Sequence, residues 1–374
     1  MKQYAGEKKP SMKRRAEGHD YSARRIYMIT MEVQDRRPLL GTLYGNPFVA
    51  DGDPDAPGIR LSPLGEAVAR EWQGIPRYYP QIDVLALQIM PDHLHGILFV
   101  REALPVHLSQ VITGFKVGCN RHLRELQCSP MVVPDAATNP QPTEKILPCA
   151  PSSPSSPSAS SSLSSPSVSS SLSSPHAAAM SPQSPFRPLF LPGYNDLILR
   201  SFDELPVWCA YLRDNPRRLL MKRARPEWLR PFFNFRYGSQ VYSGIGNLAL
   251  LQAPSRLAVR VSRRLSHEEA ADDEARYLAK ARAGTVLISP AISKGEKRVM
   301  RAAFDAKLPT IVIMENGFTP LSKPHGEQFY ACAEGRLLML SPWEHHNEQR
   351  KLTRQQCSDM NVMALELSGQ LSSQ

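Results

Sequence analysis

Short apolar blocks separated by turn residues dominate the first hundred positions. Ile26-Tyr27-Met28-Ile29-Thr30-Met31 has the β-branched and aromatic content of a strand. Ile82 to Ile89 and His93 to Val100 make two more, punctuated by Met90-Pro91-Asp92. Between them Ser62-Pro63 opens a helix, with serine as N-cap and proline at the first helical position. That helix runs through Ala67, Val68, Ala69 and Trp72. From Pro105 to Leu126, the residues Val111, Ile112, Phe115 and Leu123 recur at helical spacing. Further on, Leu197-Ile198-Leu199 ends a strand and Ser201-Phe202-Asp203-Glu204 has the form of a capping box. The helix it predicts continues through Leu205, Trp208, Cys209 and Leu212 and should end near Asn215, because Pro216 follows.

From Ser129 to Pro185 this patterning stops. Pro157 to Ser165 is repeated almost identically as Pro166 to Ser174, and serine and proline at such density cannot bury enough apolar surface to offset chain entropy. Residues 129–185 therefore read as a disordered insertion, and residues 1–23 as a polar, basic tail, disordered or ordered only on DNA. Gly238 to Gly246 is turn-rich and marks a boundary. Beyond it Leu248 to Leu251 and Leu257 to Val261 read as strands, followed by a helix over Glu268–Arg282 and a strand over Thr285–Ser289. A helix over Gly295–Ala306, strands over Thr310–Met314 and Leu337–Leu340, and a helix over Arg354–Leu367 complete the pattern. Apolar strands alternating with helices predict a parallel, two-sided, Rossmann-like α/β sheet. The expected division is a tail at 1–23, a first module at 24–242 interrupted by the insertion, and a second at 243–374.

Charge narrows the partners. The 374 residues carry 45 Lys+Arg against 35 Asp+Glu, with a pI near 9.4, which favours a polyanion: nucleic acid or an anionic membrane surface. No apolar run approaches the ~20 residues of a membrane span, and no apolar core follows the basic N-terminus as in a signal peptide. The expectation is an intracellular, cytoplasmic, bacterial-type protein near the nucleoid. The six cysteines form no CxxC pair and read as reduced thiols.

Candidate chemistry sits on two segments. Side chains two apart on a strand share a face, so His93 and His95 project together, about 7 Å apart along it, within reach of one divalent cation. The tight entry at Met90-Pro91-Asp92 is expected to leave them near a sheet edge. On the helix before Pro216, Tyr211 and Asn215 are one turn apart on the same face. Beside a metal-binding strand, Tyr211 could attack a DNA phosphodiester while the cation polarises the phosphate and Asn215 supplies a third ligand. Tyr194 is the rival nucleophile. Lys116, Arg213, Arg217, Arg218, Lys222 and Arg223 are candidate phosphate contacts, and the cluster from Arg213 to Arg230, with Trp228, Phe232 and Phe233 interleaved, resembles a single-strand binding track. Ser289 to Glu296, a small-residue turn feeding a helix, could cradle a phosphate, although it lacks Gly-x-Gly-x-x-Gly and the P-loop Lys-Ser/Thr. His345-His346 reads as a loop pair.

Met90-Pro91-Asp92-His93-Leu94-His95 resembles the HUH motif (His, hydrophobic, His) of single-tyrosine transposases, and Tyr211-Leu212-Arg213-Asp214-Asn215-Pro216 their Tyr-Ile-x-x-Asn-Pro helix end, above all in the REP-associated tyrosine transposases. The resemblance covers residues 24 to 242 less the insertion. It implies an α+β fold, a central antiparallel sheet flanked by helices, with the Rossmann-like module an addition. It implies Mg²⁺ or Mn²⁺ on the two histidines, completed one turn beyond the tyrosine. It also implies single-stranded DNA next to hairpins as substrate, and transposition chemistry that cleaves and rejoins through a 5′-phosphotyrosine; a homodimer is compatible with it. A replication-initiator-type nicking enzyme and a DNA-binding protein that has lost catalysis are the alternatives. The long insertion and the added C-terminal module depart from the family's pattern, and they leave a resident, domesticated relative open beside a mobile-element transposase.

Overall fold

The computed structural model describes residue 16 and residues 18–128, 186–261, 267–348 and 350–370. The expected insertion at 129–185 and most of the expected tail lie outside these residues. The end of that tail does not. Tyr21 is buried, stacks on Tyr27 and donates its hydroxyl to Asp196 at 2.8 Å, so ordered structure begins before Arg24.

The first sheet contains β1 (Arg25–Glu32). A small hairpin of β2 (Gly41–Tyr44) and β3 (Gly58–Leu61) follows, then α1 (Pro63–Gln73) and the one-turn α2 (Ile75–Tyr78). Ser62 caps α1 as expected, accepting from the Gly65 amide at 3.0 Å. β4 (Ile82–Met90) and β5 (His93–Val100) form a hairpin, α3 (Leu108–Cys128) follows, and β6 (Asn195–Leu199) completes an antiparallel sheet in the order β4-β5-β1-β6. Both faces of this sheet are covered, which is why β1 is apolar at successive positions rather than alternating. Tyr27, Ile29 and Met31 join Leu94, Leu98, Val100, Trp72 and Phe115 in the core under α1 and α3. Ile26, Met28, Ile97 and Phe99 face the other way and pack with Leu212 on α4 (Leu205–Ala224). Burying each such side chain contributes about 1.5–3 kcal/mol. Gly96 is required at its place: a Cβ there would come within 2.1 Å of the Trp72 indole, which lies buried against the back of β5.

α4 differs from its expected form at both ends. Ser201 makes no cap to the backbone; residues Phe202–Glu204 form a 3-10 turn and the helix starts at Leu205. It then runs through a buried Pro216 to Ala224. Proline removes one backbone donor, and tertiary packing offsets the loss: beyond the proline, Met221 enters a core with Leu229, Ile245, Phe329 and Leu337.

The second sheet is built from β7 (Phe232–Tyr237), β8 (Gln240–Gly246), β9 (Arg256–Ala258), β10 (Val286–Ser289), β11 (Thr310–Ile313) and β12 (Leu337–Ser341), in the order β7-β8-β12-β11-β10-β9. β9 to β12 are mutually parallel, and β8 is antiparallel to β12. Around them lie α5 (His267–Arg282), α6 (Lys294–Asp305), α7 (Gly326–Ala333) and α8 (Arg354–Ser368). The stretch read as a turn-rich boundary is a strand, so the division expected after Tyr242 falls inside β8, and this sheet begins at Phe232. Its glycines serve close approach: a Cβ on Gly244 would meet the Met339 carbonyl at 2.5 Å. Leu248 to Leu251, read as a strand, lies in a 3-10 turn (Leu248–Gln252) capped by Asn247. Among the described residues no helix is long and apolar enough to cross a membrane.

Candidate active site

The two histidines stand at the N-terminal end of β5, on the face covered by α4. β5 lies between β4 and β1, so they occupy the end of an interior strand and not the sheet edge that the sequence led us to expect. The reason is the turn: the Asp92 and Pro91 carbonyls accept from the amides of Val33 (2.9 Å) and Leu40 (3.0 Å), tying it to the chain that leaves β1. The imidazole centroids of His93 and His95 are 4.9 Å apart.

Each ring is oriented through Nδ1. His93 Nδ1 lies 2.6 Å from Asp92 Oδ1, and His95 Nδ1 lies 2.8 Å from Thr30 Oγ1, its register partner across β1 and β5. Asp92 is itself held by Arg36 at 3.4 Å, and Arg36 also pairs with Glu32 at 2.7 Å. Arg36 makes this reach from a left-handed backbone, φ 55° following Asp35 at 58°, a conformation that costs a non-glycine residue roughly 1–2 kcal/mol. Burial holds the His95 imidazole far below its usual range, to about 4, and the positive charge of His93 and Arg36 adds to that. His95 is therefore neutral at neutral pH, the form that binds cations. Thr30, Asp92 and Arg36 escaped the sequence reading as site residues; the one signal was Thr30, a polar residue inside an apolar strand.

Helix α4 brings the rest. Leu205, Trp208, Cys209 and Leu212 pack on the sheet and turn the Tyr211 face toward β5. The Tyr211 ring centroid lies 6.5 Å from that of His95 and 5.7 Å from that of Trp208. Tyr211 is 39% exposed, so its ring is open to solvent. Asn215, one turn on, has its side-chain Nδ2 buried without a hydrogen-bond partner. Tyr194 is elsewhere: it is buried in the core on the opposite face of the sheet, its hydroxyl 3.4 Å from Ser109 Oγ. It cannot share a site with the histidines.

The residues present fit a divalent cation. With both Nδ1 atoms engaged, Nε2 of His93 and of His95 has no hydrogen-bond partner among the described residues, the arrangement by which an outer contact at Nδ1 orients an imidazole ligand. The unpartnered end of the Asn215 amide becomes an oxygen donor on a half-turn of the group. Among the described residues no cluster of three or more His, Cys, Asp or Glu could hold a metal, so a cation at these histidines would need further donors from outside that set.

The basic candidates divide into three groups. Arg213, Lys222 and Arg223 are exposed on α4. Lys116 and Arg217 are committed internally. Lys116 Nζ donates to the carbonyls of Leu191 (2.6 Å) and Gly193. Arg217 donates to the Pro47 and Val49 carbonyls (2.6 and 2.5 Å) and to Asp51 (2.6 Å), with only 15% of its side chain exposed. Both close gaps left by irregular backbone, which sequence spacing cannot reveal. Arg218 is half committed: it stacks on Phe329 at 4.0 Å and donates to the Tyr330 hydroxyl at 3.0 Å. The turn at Ser289 to Glu296 does not offer a phosphate cradle. The buried Glu296 carboxylate already accepts from the amides of Ile292 (2.9 Å) and Ser293 (3.1 Å), in a capping box with Ser293. His345 and His346 are loop residues, bonded to the carbonyls of Gly317 and Glu348. The five cysteines described are all unpaired.

No family model matches the chain. An uncharacterized protein of Haemophilus influenzae is 28% identical over 88 residues, covering 24% of this chain and 43% of that protein. Among solved structures, DNA processing protein A from Helicobacter pylori, described for its single-stranded DNA binding mode, aligns over 36% of this chain and 60% of its own, with 17% identity and a TM-score of 0.27. A REP-associated tyrosine transposase bound to a REP hairpin aligns over 54% of this chain and 73% of its own, with 10% identity and a TM-score of 0.28.

Proposed function

We propose that this chain cleaves and rejoins single-stranded DNA beside hairpins, with Tyr211 as nucleophile, in the manner of the single-tyrosine HUH transposases that its motifs resemble. The observation that carries this reading is the packing of Tyr211 against the face of β5 that bears His93 and His95, rings 6.5 Å apart, with an unpartnered Asn215 amide one turn away.

Tyr211 presents an exposed phenol at the rim of the site. Its oxygen attacks the scissile phosphorus and forms a 5′-phosphotyrosine; the phenolic proton is released, and the departing 3′ oxygen takes up a proton. One phosphodiester is exchanged for another, so a 3′-hydroxyl can reverse the step without ATP. His93, His95 and Asn215 are the residues that would hold Mg²⁺ or Mn²⁺, whose charge would polarise the phosphate. Thr30 and Asp92 keep the imidazoles aimed, and Trp208 walls one side of the phenol. Arg213, Lys222 and Arg223 extend a basic surface along α4 for the strand. The second sheet, with its run of parallel strands, serves as a Rossmann-like accessory to this chemistry.

The test is a covalent adduct. Wild-type protein with Mg²⁺ or Mn²⁺ should trap hairpin-flanked single-stranded DNA as a 5′-phosphotyrosine species, and Tyr211→Phe should abolish it while leaving DNA binding intact. Absence of any adduct from the wild type would leave a DNA-binding protein without chemistry.

A further inference from the structure

Helix α4 belongs to two cores at once. Leu212 is buried with Ile97, Phe99 and Leu199 of the first sheet; Met221, nine residues on, is buried with Ile245, Phe329, Ala331 and Leu337 of the second. Tyr211 lies at the first of these cores, and Pro216 lies between the two. Because Pro216 has no N–H, the Leu212 carbonyl loses its helical partner there, and the backbone ladder is weakest one turn from the nucleophile.

Side chains from α7 span this weak turn. The Tyr330 hydroxyl donates to the Asp214 carboxylate and accepts from Arg218 at 3.0 Å. The Arg218 guanidinium lies 4.0 Å from the Phe329 ring centroid and 6.0 Å from that of Tyr211. Asp214 also faces Arg217 at 3.8 Å. Burial raises the Tyr330 phenol, which stays a protonated donor at neutral pH. Asp214 and Arg218 flank Pro216 on either side, so one tyrosine from the second sheet's domain ties together the two halves of a helix interrupted by proline.

We propose that Tyr330 is a positioning residue for Tyr211: by holding Asp214 and Arg218 across Pro216, it fixes how α4 presents the nucleophile to the His93–His95 face. The C-terminal part of the chain is then a working component of the active site. This inference rests on the reading of Tyr211 as nucleophile.

The experiment compares full-length wild type, Tyr330→Phe, Asp214→Asn and the double variant. Three quantities are measured: the single-turnover rate of adduct formation at saturating hairpin-flanked DNA, the Kd for that DNA, and amide hydrogen exchange over residues 205–224. Tyr330→Phe keeps the ring and its packing. It should slow adduct formation roughly ten-fold, with Kd changed less than two-fold and exchange around residues 211–218 faster by a similar factor. The double variant should be no slower than the worse single one, because both remove the same contact. An unchanged rate together with unchanged exchange overturns the proposal, as does a loss confined to Kd. If the wild type forms no adduct, the functional reading fails, and the exchange data alone decide whether Tyr330 braces the helix.

Discussion

The hydroxyl of Thr30 lies 2.8 Å from Nδ1 of His95, directly across the β1–β5 ladder. This contact selects which imidazole nitrogen remains available, and it is the only hydrogen bond His95 makes among the described residues. Thr30→Val conserves shape and strand propensity but removes the oxygen. It should weaken Mn²⁺ binding roughly 10–100-fold, the usual cost of losing an outer-sphere partner, with little change in Tm. Titration of Mn²⁺ followed by electron paramagnetic resonance reads this directly; wild-type affinity in the variant would remove Thr30 from the site.

His95 also makes stability depend on pH in the metal-free protein. Its folded value of about 4 lies below the ordinary 6.5, so the unfolded chain binds this proton more tightly. The contribution is present in full above pH 6.5 and is lost as pH falls toward 4, reaching at most about 3 kcal/mol. Urea melts in EDTA at pH 7 and pH 4.5 should show a steeper loss for wild type than for His95→Gln. Equal slopes would mean that His95 is not buried as a neutral ring.

Gly96→Ala tests the wall behind the histidines. A Cβ here meets Trp72 Cζ2 at 2.1 Å, and Trp72, on α1, is fully buried between α3 and the sheet. Displacing it should cost about 1–3 kcal/mol, seen as a lower urea midpoint at constant m-value. A variant as stable as the wild type would contradict the packing of Trp72 on β5.

Two arginines on α4 should behave in opposite ways. Arg217→Ala strands the carbonyls of Pro47 and Val49 and should lower stability by about 1–3 kcal/mol while leaving the salt dependence of DNA binding unchanged. Arg223→Ala, at an exposed position, should leave stability within about 0.5 kcal/mol and reduce the slope of log K against log salt by about one. If Arg217 shifts the slope and Arg223 does not, the strand runs along the other side of the helix.

Local pattern carried much of this in advance. The strands at 26–31, 82–89 and 93–100, the Ser62 cap and the apolar stripe of α3 all follow from short-range periodicity, and all are present. So does the common face of His93 and His95, because strand alternation needs no tertiary information. Strand β8 reads as a boundary because its glycines look like turn residues; Gly238 does lie in the hairpin turn, but Gly244 and Gly246 are there so that β12 can approach closely, a fact set by the partner strand.

The sequence by itself determined which residues have the chemistry to form a site and which neighbours share a face, since these depend on spacings of two to four residues. Tertiary structure decided the rest. It set Tyr211 against β5 and buried Tyr194 on the opposite face of the sheet. It committed Lys116 and Arg217 to backbone groups that irregular segments leave unpaired, an accounting that closes only when distant segments meet. It also carried α4 past Pro216, because burial of Met221 in a second core outweighs one lost hydrogen bond.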